Sequence, residues 1–476
     1  MQNSDPIWDH VETHRADLIE LSDRVWGMPE LLYGEYRSCA EHVAVLRDKG
    51  FAVHEEVAGI PTAVMGEAGE GGPVIAILGE YDALPGLSQV AGIAEPQPAD
   101  AGGAGHGCGH NLLGSAALLA ACALKDWLAE TGTPGRVRYY GCPAEEGGAA
   151  KAFMVRDGAF DDVDAAITWH PATMTKVDEA QSLANTRMDF TFTGRASHAA
   201  AAPHLGRSAL DAAELMSVGV NYLREHVPQE SRIHYAYLDA GGTAPNVVQG
   251  RAKVRYAIRS TSLPGMLALN ERVKKIAHGA AMMTETQVDI SIMSAVSNML
   301  GNTPLEEAMQ TAMDDLGGVD FDDADRAYAA KIQGTLTAED IAATYRANGM
   351  DVRADEPLCD YVVPREMRGP KMMGSTDVAD VSWKVPTVQA RVSTVAIGTP
   401  GHSWQITAQG KSPAAHKGMT YAAKVMGVVG RMLLTDEVLL ARAKKDHAER
   451  LAREPYVCPI PEDVRPPLVP RPEAAE

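Results

Sequence analysis

The chain has 476 residues, and its 43 Lys+Arg against 63 Asp+Glu give a formal net charge of −20 at pH 7. With 45% apolar and 22% charged residues it is a folding sequence, long enough for two or three domains and a large core. The acidic balance argues against nucleic acid and anionic membrane as partners, because both need a basic footprint, but it leaves a small anionic substrate open.

The opening stretch, MQNSDPIWDHVETHRADLIE, is charged throughout and lacks a secretory apolar core, so no leader is expected. Helical periodicity follows at Leu18, Leu21, Val25, Val43 and Leu46. PVIAILG (73–79) predicts a buried strand, and GSAALLAACALKDWLAETG (114–132) a helix ending at Gly132. Its longest apolar run, 116–124, is nine residues, far short of the roughly 20 of a membrane span. RVRYYGC (136–142) and AAITWH (165–170) predict further strands. Strands alternating with helices imply an α/β fold whose mostly parallel sheet is covered by helices on both faces.

The pattern changes near residue 185. TRMDFTFTG (186–194) alternates with period two, a helix is expected over 206–226, strands at 232–239 and 248–258, a helix over 264–283, and a strand at QVDISIM (287–293). That order, β-α-β-β-α-β, is a ferredoxin-like α+β module. The simplest organisation is a discontinuous domain, 1–184 and 298–476, with a module inserted at 185–297. The stretch 300–372 reads as helix and loop, TVQARVSTVAIG (387–398) as a strand, 414–450 as one or two helices, and the tail from Pro459 as extended. Six scattered cysteines, at 39, 108, 122, 142, 359 and 458, read as reduced thiols and point to the cytoplasm.

Polar residues collect where ligands bind in α/β sheets, beyond the carboxyl ends of strands. VIAILG runs into Glu80 and Asp82, RVRYYG into Glu145 and Glu146, AAIT into His170, and STVAIG towards His402. GHGCGHN (105–111) adds Cys108 and His110 just before a helix. Thiolate, imidazole and carboxylate are the ligands of zinc and similar divalent ions. No Pro-Cys-x-x-Cys accompanies them, which argues against a zinc deaminase. Adjacent carboxylates in an extended segment point opposite ways, so one of Glu145 and Glu146 can bind metal while the other serves a water as general base.

The blocks LGEYDALPGL (78–87), GHGCGHNLLG (105–114), CPAEEGG (142–148), TWHP (168–171) and GRASHAAAAPHLGRSALDA (194–212) resemble the dinuclear metal amidohydrolases of metallopeptidase family twenty. Further stretches, FMVRDGAFDDVDAAITWHP, GSTDVADVSWKVP and AHKGM, extend the likeness over nearly the whole chain. A Cys ligand in place of Asp resembles the aminoacylase-like branch that includes auxin-conjugate hydrolases.

The resemblance implies that Cys108 bridges two divalent ions, manganese or zinc. His110 and His170 would complete one shell, and Glu146 and His402 the other. Glu145 would be the general base and Asp82 the acid that orients a ligating histidine. The inserted module would be the lid and dimerisation domain. Its His198 would act across to a partner subunit, while Asn246 and Arg259 would hold the substrate carboxylate. Glu80 lies where the dipeptidase branch has a histidine ligand, which leaves its role open. His106, His204 and His416 are weaker candidates. The implied reaction is cleavage of an N-acyl amino acid, p-aminobenzoyl-glutamate foremost, by a homodimer or a heterodimer with a related subunit. The rivals are another conjugate, such as an indole-acetyl amino acid, and a non-catalytic partner subunit.

Overall fold

The computed structural model describes residues 5–353, 355–367, 369 and 374–471, so parts of the 300–372 stretch and of the tail lie outside the described residues. The strands in chain order are β1 (Ala52–Glu55), β2 (Val64–Glu70), β3 (Val74–Glu80), β4 (Gly135–Cys142), β5 (Ala165–Ala172), β6 (Lys176–Val177), β7 (Ala184–Thr193), β8 (Arg232–Asp239), β9 (Arg251–Ser260), β10 (Gln287–Val296) and β11 (Thr387–Ser393). They form two sheets, a seven-stranded one in the order β1-β2-β4-β3-β5-β11-β6 and a four-stranded one in the order β10-β7-β9-β8.

The large sheet is parallel at its centre, where β4, β3, β5 and β11 run together, and antiparallel at its margins, where β1, β2 and β6 pair. The all-apolar run of β3 is buried at every position, as a central parallel strand requires. The His110–Thr131 helix lies against it and is buried at every residue from His110 to Leu124, a stretch made mostly of Ala and Leu. Gly109 (φ 77°) turns the chain into this helix and Gly132 (φ 64°) ends it. The helix is long and apolar enough to cross a membrane by length and composition, yet 83% of its most apolar window is buried inside the fold. It packs between the Pro6–Trp26 and Pro413–Thr435 helices. The first of these is opened by Pro6 and capped by Asp5, which accepts from the Ile7 amide.

The four-stranded sheet is antiparallel throughout, and the Ala209–Leu223 and Leu263–Thr284 helices cover one of its faces. Met188, Phe190 and Phe192 of β7 and Val254, Tyr256 and Ile258 of β9 form the core beneath those helices. The alternating residues therefore face the other way.

Several expected elements differ in extent. The 387–398 strand ends at Ser393, where its partner β5 ends at Ala172, and the chain then bends away and turns at Gly398, φ 95°. His402 thus sits in an irregular turn at φ 54°, not directly at a strand end. The 248–258 strand is Arg251–Ser260, which places Arg259 inside β9. Glu145 and Glu146 stand in a turn entered through Ala144 at φ 56°, not in an extended segment. The helix expected over 206–226 is shorter, starting after the Ser208 cap, whose side chain accepts from the Asp211 amide. The 300–372 stretch carries the Thr303–Leu316, Asp323–Gln333 and Ala338–Ala347 helices.

Candidate metal centre

The polar strand ends meet at one place. Cys108, His110 and His170 offer ligand atoms all within 4.8 Å of one another, and so do Cys108, Glu146 and His402. Cys108 is common to both groups. Its Sγ lies 3.4 Å from His170 Nε2. The Nδ1 of His170 is 2.7 Å from the Pro171 carbonyl, which turns Nε2 toward the cluster. His402 Nε2 is 3.4 Å from Glu146 Oε1.

Glycines make the approach of Cys108 and His110 feasible. Gly109 takes the left-handed conformation between them, and a Cβ on Gly107 would sit 2.3 Å from Leu87 Cδ1. His110 is held from behind by Asp82, whose Oδ1 lies 2.8 Å from Nδ1, while its other nitrogen, Nε2, is 3.3 Å from Glu80 Oε2. Asp82 also accepts the backbone amide of Glu146 at 2.9 Å.

The electrostatics suit a cation. Burial, reinforced by the Glu146 charge, pushes the Cys108 thiol well up, so it needs a cation beside it to ionise. Burial, with the charges of Arg391 and His110, brings His170 down to about 4, which keeps it the neutral imidazole that metals bind. Burial would raise Glu146, but the His402 hydrogen bond and the His110 charge outweigh it and bring it to about 2. His110 Nε2 and Glu146 Oε1 are buried, and their ionic neighbours, Glu80 Oε2 and His402 Nε2, lie 3.3 and 3.4 Å away without well-aligned hydrogen bonds. Loosely paired polar atoms in such a cluster are what a bound ion would satisfy.

Glu145 belongs to neither shared-cysteine group. It joins Glu80 and His110 in a third, adjoining set. Burial first, and then the charges of Glu80, Glu146 and Asp377, push its carboxyl well above the ordinary range.

The role left open for Glu80 is resolved by a residue that sequence reasoning missed. Lys151, on the Ala150–Arg156 helix, is fully buried with Nζ 2.6 Å from Glu80 Oε1 and 2.7 Å from Asp377 Oδ1. Glu80 is therefore an anion between Lys151 and His110. Glu35 is another omission. It accepts from the Tyr33 and Ala144 amides, both at 3.0 Å, and so supports the turn that carries Glu145. Lys151 follows Glu146 by five residues and looks like an ordinary helix residue in sequence, while Glu35 stands just before a helix, 109 residues ahead of the Ala144 amide from which it accepts.

The cluster opens on a cavity of about 790 Å³ whose walls include Glu80, Cys108, Glu145, Glu146, His170 and His402. Arg259 lines it too, together with Arg187. His198 and Asn246 do not; they are exposed on a loop of the four-stranded layer, where His198 bridges to Val247 and the Asn246 carbonyl accepts from Ala199. His106 is buried against the Val25 carbonyl, and His416 is paired with Asp23, so neither reaches the cluster. His204 is exposed in a short 3₁₀ turn.

Comparison with known proteins places this geometry among relatives. The chain matches Peptidase family M20/M25/M40 over residues 76–406. It is 46% identical over 471 residues to a p-aminobenzoyl-glutamate hydrolase subunit of Escherichia coli (strain K12), covering 97% of this chain and 98% of that protein. Among solved structures it is similar to an aminobenzoyl-glutamate utilization protein from Klebsiella pneumoniae, with a TM-score of 0.60 at 18% identity over 90% of this chain and 99% of that one. It is also similar to a dinuclear metal-binding peptidase of the M20 family from Bacillus subtilis, with a TM-score of 0.54 at 17% identity over 87% and 99% of the two chains.

Proposed function

The chain belongs to peptidase family M20/M25/M40 and is a metal-dependent amidohydrolase, and from that premise we propose that it cleaves p-aminobenzoyl-glutamate into p-aminobenzoate and glutamate. The substrate follows from the near full-length likeness to the hydrolase subunit. The observation that carries the chemistry is Cys108, shared by two ligand groups beside a carboxylate, Glu145, that belongs to neither.

In this reading Cys108, His110, His170, Glu146 and His402 would hold two divalent ions, with Cys108 common to the His110–His170 group and the Glu146–His402 group. The thiolate favours zinc by softness, and manganese is the alternative. When bound there, such ions would supply Lewis-acid polarisation and a more acidic water. Glu145 takes a proton from the attacking water as its oxygen bonds to the carbonyl carbon. It then delivers the proton to the amide nitrogen as the C–N bond breaks, leaving the aryl carboxylate and the amine of glutamate. A buried carboxyl with a raised pKa suits a group that must hold a proton between two transfers. Asp82 keeps His110 in one orientation and tautomer. Arg259 meets the substrate carboxylate with a planar fork of donors.

His198 and Asn246 serve the cavity of a partner subunit, His198 as the donor to the developing oxyanion. Two features support a partner, whether an identical chain or a related one. β8 is an edge strand with Tyr235, Tyr237 and Leu238 exposed, and Tyr222 and Met282 of the covering helices are 75% and 80% exposed. The six free cysteines support a reducing, cytoplasmic setting.

The test is a substrate panel. Purified chain, stripped of metal and reloaded with Mn²⁺ or Zn²⁺, is assayed on p-aminobenzoyl-glutamate, indole-acetyl-aspartate and N-acetyl amino acids. The first should be hydrolysed fastest. A faster indole conjugate would reassign the acyl pocket, and a metal-poor, inactive pure chain would make this a non-catalytic partner subunit.

A further inference from the structure

The face of the four-stranded sheet turned away from its helices carries a row of cations. Lys253 and Arg255 both reach Asp189, each at 2.6 Å, so their charge is matched. Arg187, two residues before Asp189 on β7, has no carboxylate in an ion pair among the described residues. It donates instead from Nη2 to the Glu146 carbonyl at 3.0 Å. Glu145 and Glu146 act on it only at longer range, while burial and the neighbouring Arg259 depress its pKa.

The fold makes room for this guanidinium. A Cβ on Gly147 would sit 2.0 Å from Arg187 Nη1, so the glycine of the Glu-Glu-Gly-Gly turn is also the space that Arg187 occupies. Strand register sets Asn185 opposite Arg259 and Ser294 opposite Arg187, which puts all four on one face. All four line the cavity. Asn185 is 8% exposed, and its Oδ1 is buried without a hydrogen-bond partner. A half-desolvated cation with no carboxylate in contact is unfavourable, as is an orphaned amide oxygen; a ligand entering the cavity relieves both.

We propose that Arg187 is a specificity residue that, together with Arg259, forms a two-guanidinium clamp for N-acyl amino acids carrying two carboxylates. One carboxylate meets each fork, and the Asn185 amide flanks the ligand. The clamp rests on the amidohydrolase reading above and sharpens it, because it selects acidic over neutral amino-acid conjugates.

The experiment compares p-aminobenzoyl-glutamate with p-aminobenzoyl-glutamine, which differ only by carboxylate against amide, in the wild type, Arg187→Met and Arg187→Lys. The wild type is expected to favour the glutamate conjugate by about 100-fold in kcat/KM. Arg187→Met should collapse that ratio toward one, with Arg187→Lys in between. An equal loss on both conjugates would make Arg187 a support of the Glu146 turn and overturn the proposal, as would an unchanged ratio. Calorimetric titration of the metal-loaded protein with free glutamate separates the clamp from the reaction. Should the wild type hydrolyse neither conjugate, the substrate assignment fails on its own, and glutamate binding still decides the clamp. It must weaken about 10-fold or more in Arg187→Met; equal binding refutes it.

Discussion

Oδ1 of Asp82 lies 2.8 Å from Nδ1 of His110, while the other oxygen of the same carboxylate holds the amide of Glu146. One buried anion thereby fixes one residue from each ligand group. Asp82→Asn keeps the shape but offers an NH₂ where an acceptor is needed. Metal affinity should fall by about 10- to 100-fold with the fold intact. Competition with a chromogenic chelator measures it, and unchanged affinity would mean that Glu80 alone orients His110.

Glu145 adjoins the first ligand group through His110 without belonging to either, so its replacement should separate binding from chemistry. Glu145→Gln should keep two metals per chain and lose about 10²- to 10⁴-fold in kcat. Elemental analysis with single-turnover kinetics checks this, and wild-type turnover would remove Glu145 from the proton path.

The distance of His198 from its own cavity gives a complementation test. Glu145→Gln and His198→Ala chains are each expected to be nearly inactive. In a self-associating protein, subunits mixed one to one and allowed to exchange should regain up to about a quarter of wild-type activity. Half of the dimers are then mixed, and each mixed dimer holds one intact composite site. No recovery after verified exchange would place His198 in its own chain's site or remove it from catalysis.

Among the described residues, Lys151 is the sole buried cation contacting both Glu80 and Asp377. Lys151→Met leaves both acids without it and should cost about 3 to 5 kcal/mol of stability. Adding Asp377→Asn should recover part of that loss. Urea unfolding of the two variants is the measurement, and a neutral Lys151→Met would show that the acids simply take up protons.

Asp380 offers a pH signature away from the metal cluster. Burial raises its carboxyl to about 7, although it accepts from the Ser297 amide and hydroxyl and from Tyr456. A raised folded-state pKa means that the stabilising, protonated form is fully present below the unfolded value. That stability is lost as pH rises through about 7. Each pH unit in that window is worth up to about 1.4 kcal/mol. Asp380→Asn should flatten the loss, as read by thermal unfolding from pH 4 to pH 8. A slope equal to that of the wild type would remove Asp380 as its source.

Much of the centre is visible in the sequence because strand ends announce themselves. Apolar runs such as that of β3 stop abruptly at Glu80 and Asp82, and Cys108 and His110 sit among glycines whose conformational freedom the geometry uses. The β-α-β-β-α-β layer is legible for a similar reason, since its half-exposed strands alternate. The turn at Glu145, by contrast, is supported by Glu35, whose carboxyl comes from a segment 109 residues earlier in the chain. Lys151 and Arg187 are hidden because a charged residue among apolar neighbours reads as a solvated face until the partner elements are in place. The early end of β11 follows the end of its partner β5 at Ala172, which a continuous apolar run in the sequence conceals.

The position of β11 also bears on how the protein is made. Cys108, His110, Glu146 and His170 are all translated before the four-stranded layer, and His402 only after it. A ribosome that has finished β5 still holds a sheet whose central edge lacks β11, its parallel neighbour. The candidate group of Cys108, Glu146 and His402 is therefore complete only once residue 402 has been made, and a nascent chain stalled before residue 387 lacks the strand that pairs with β5.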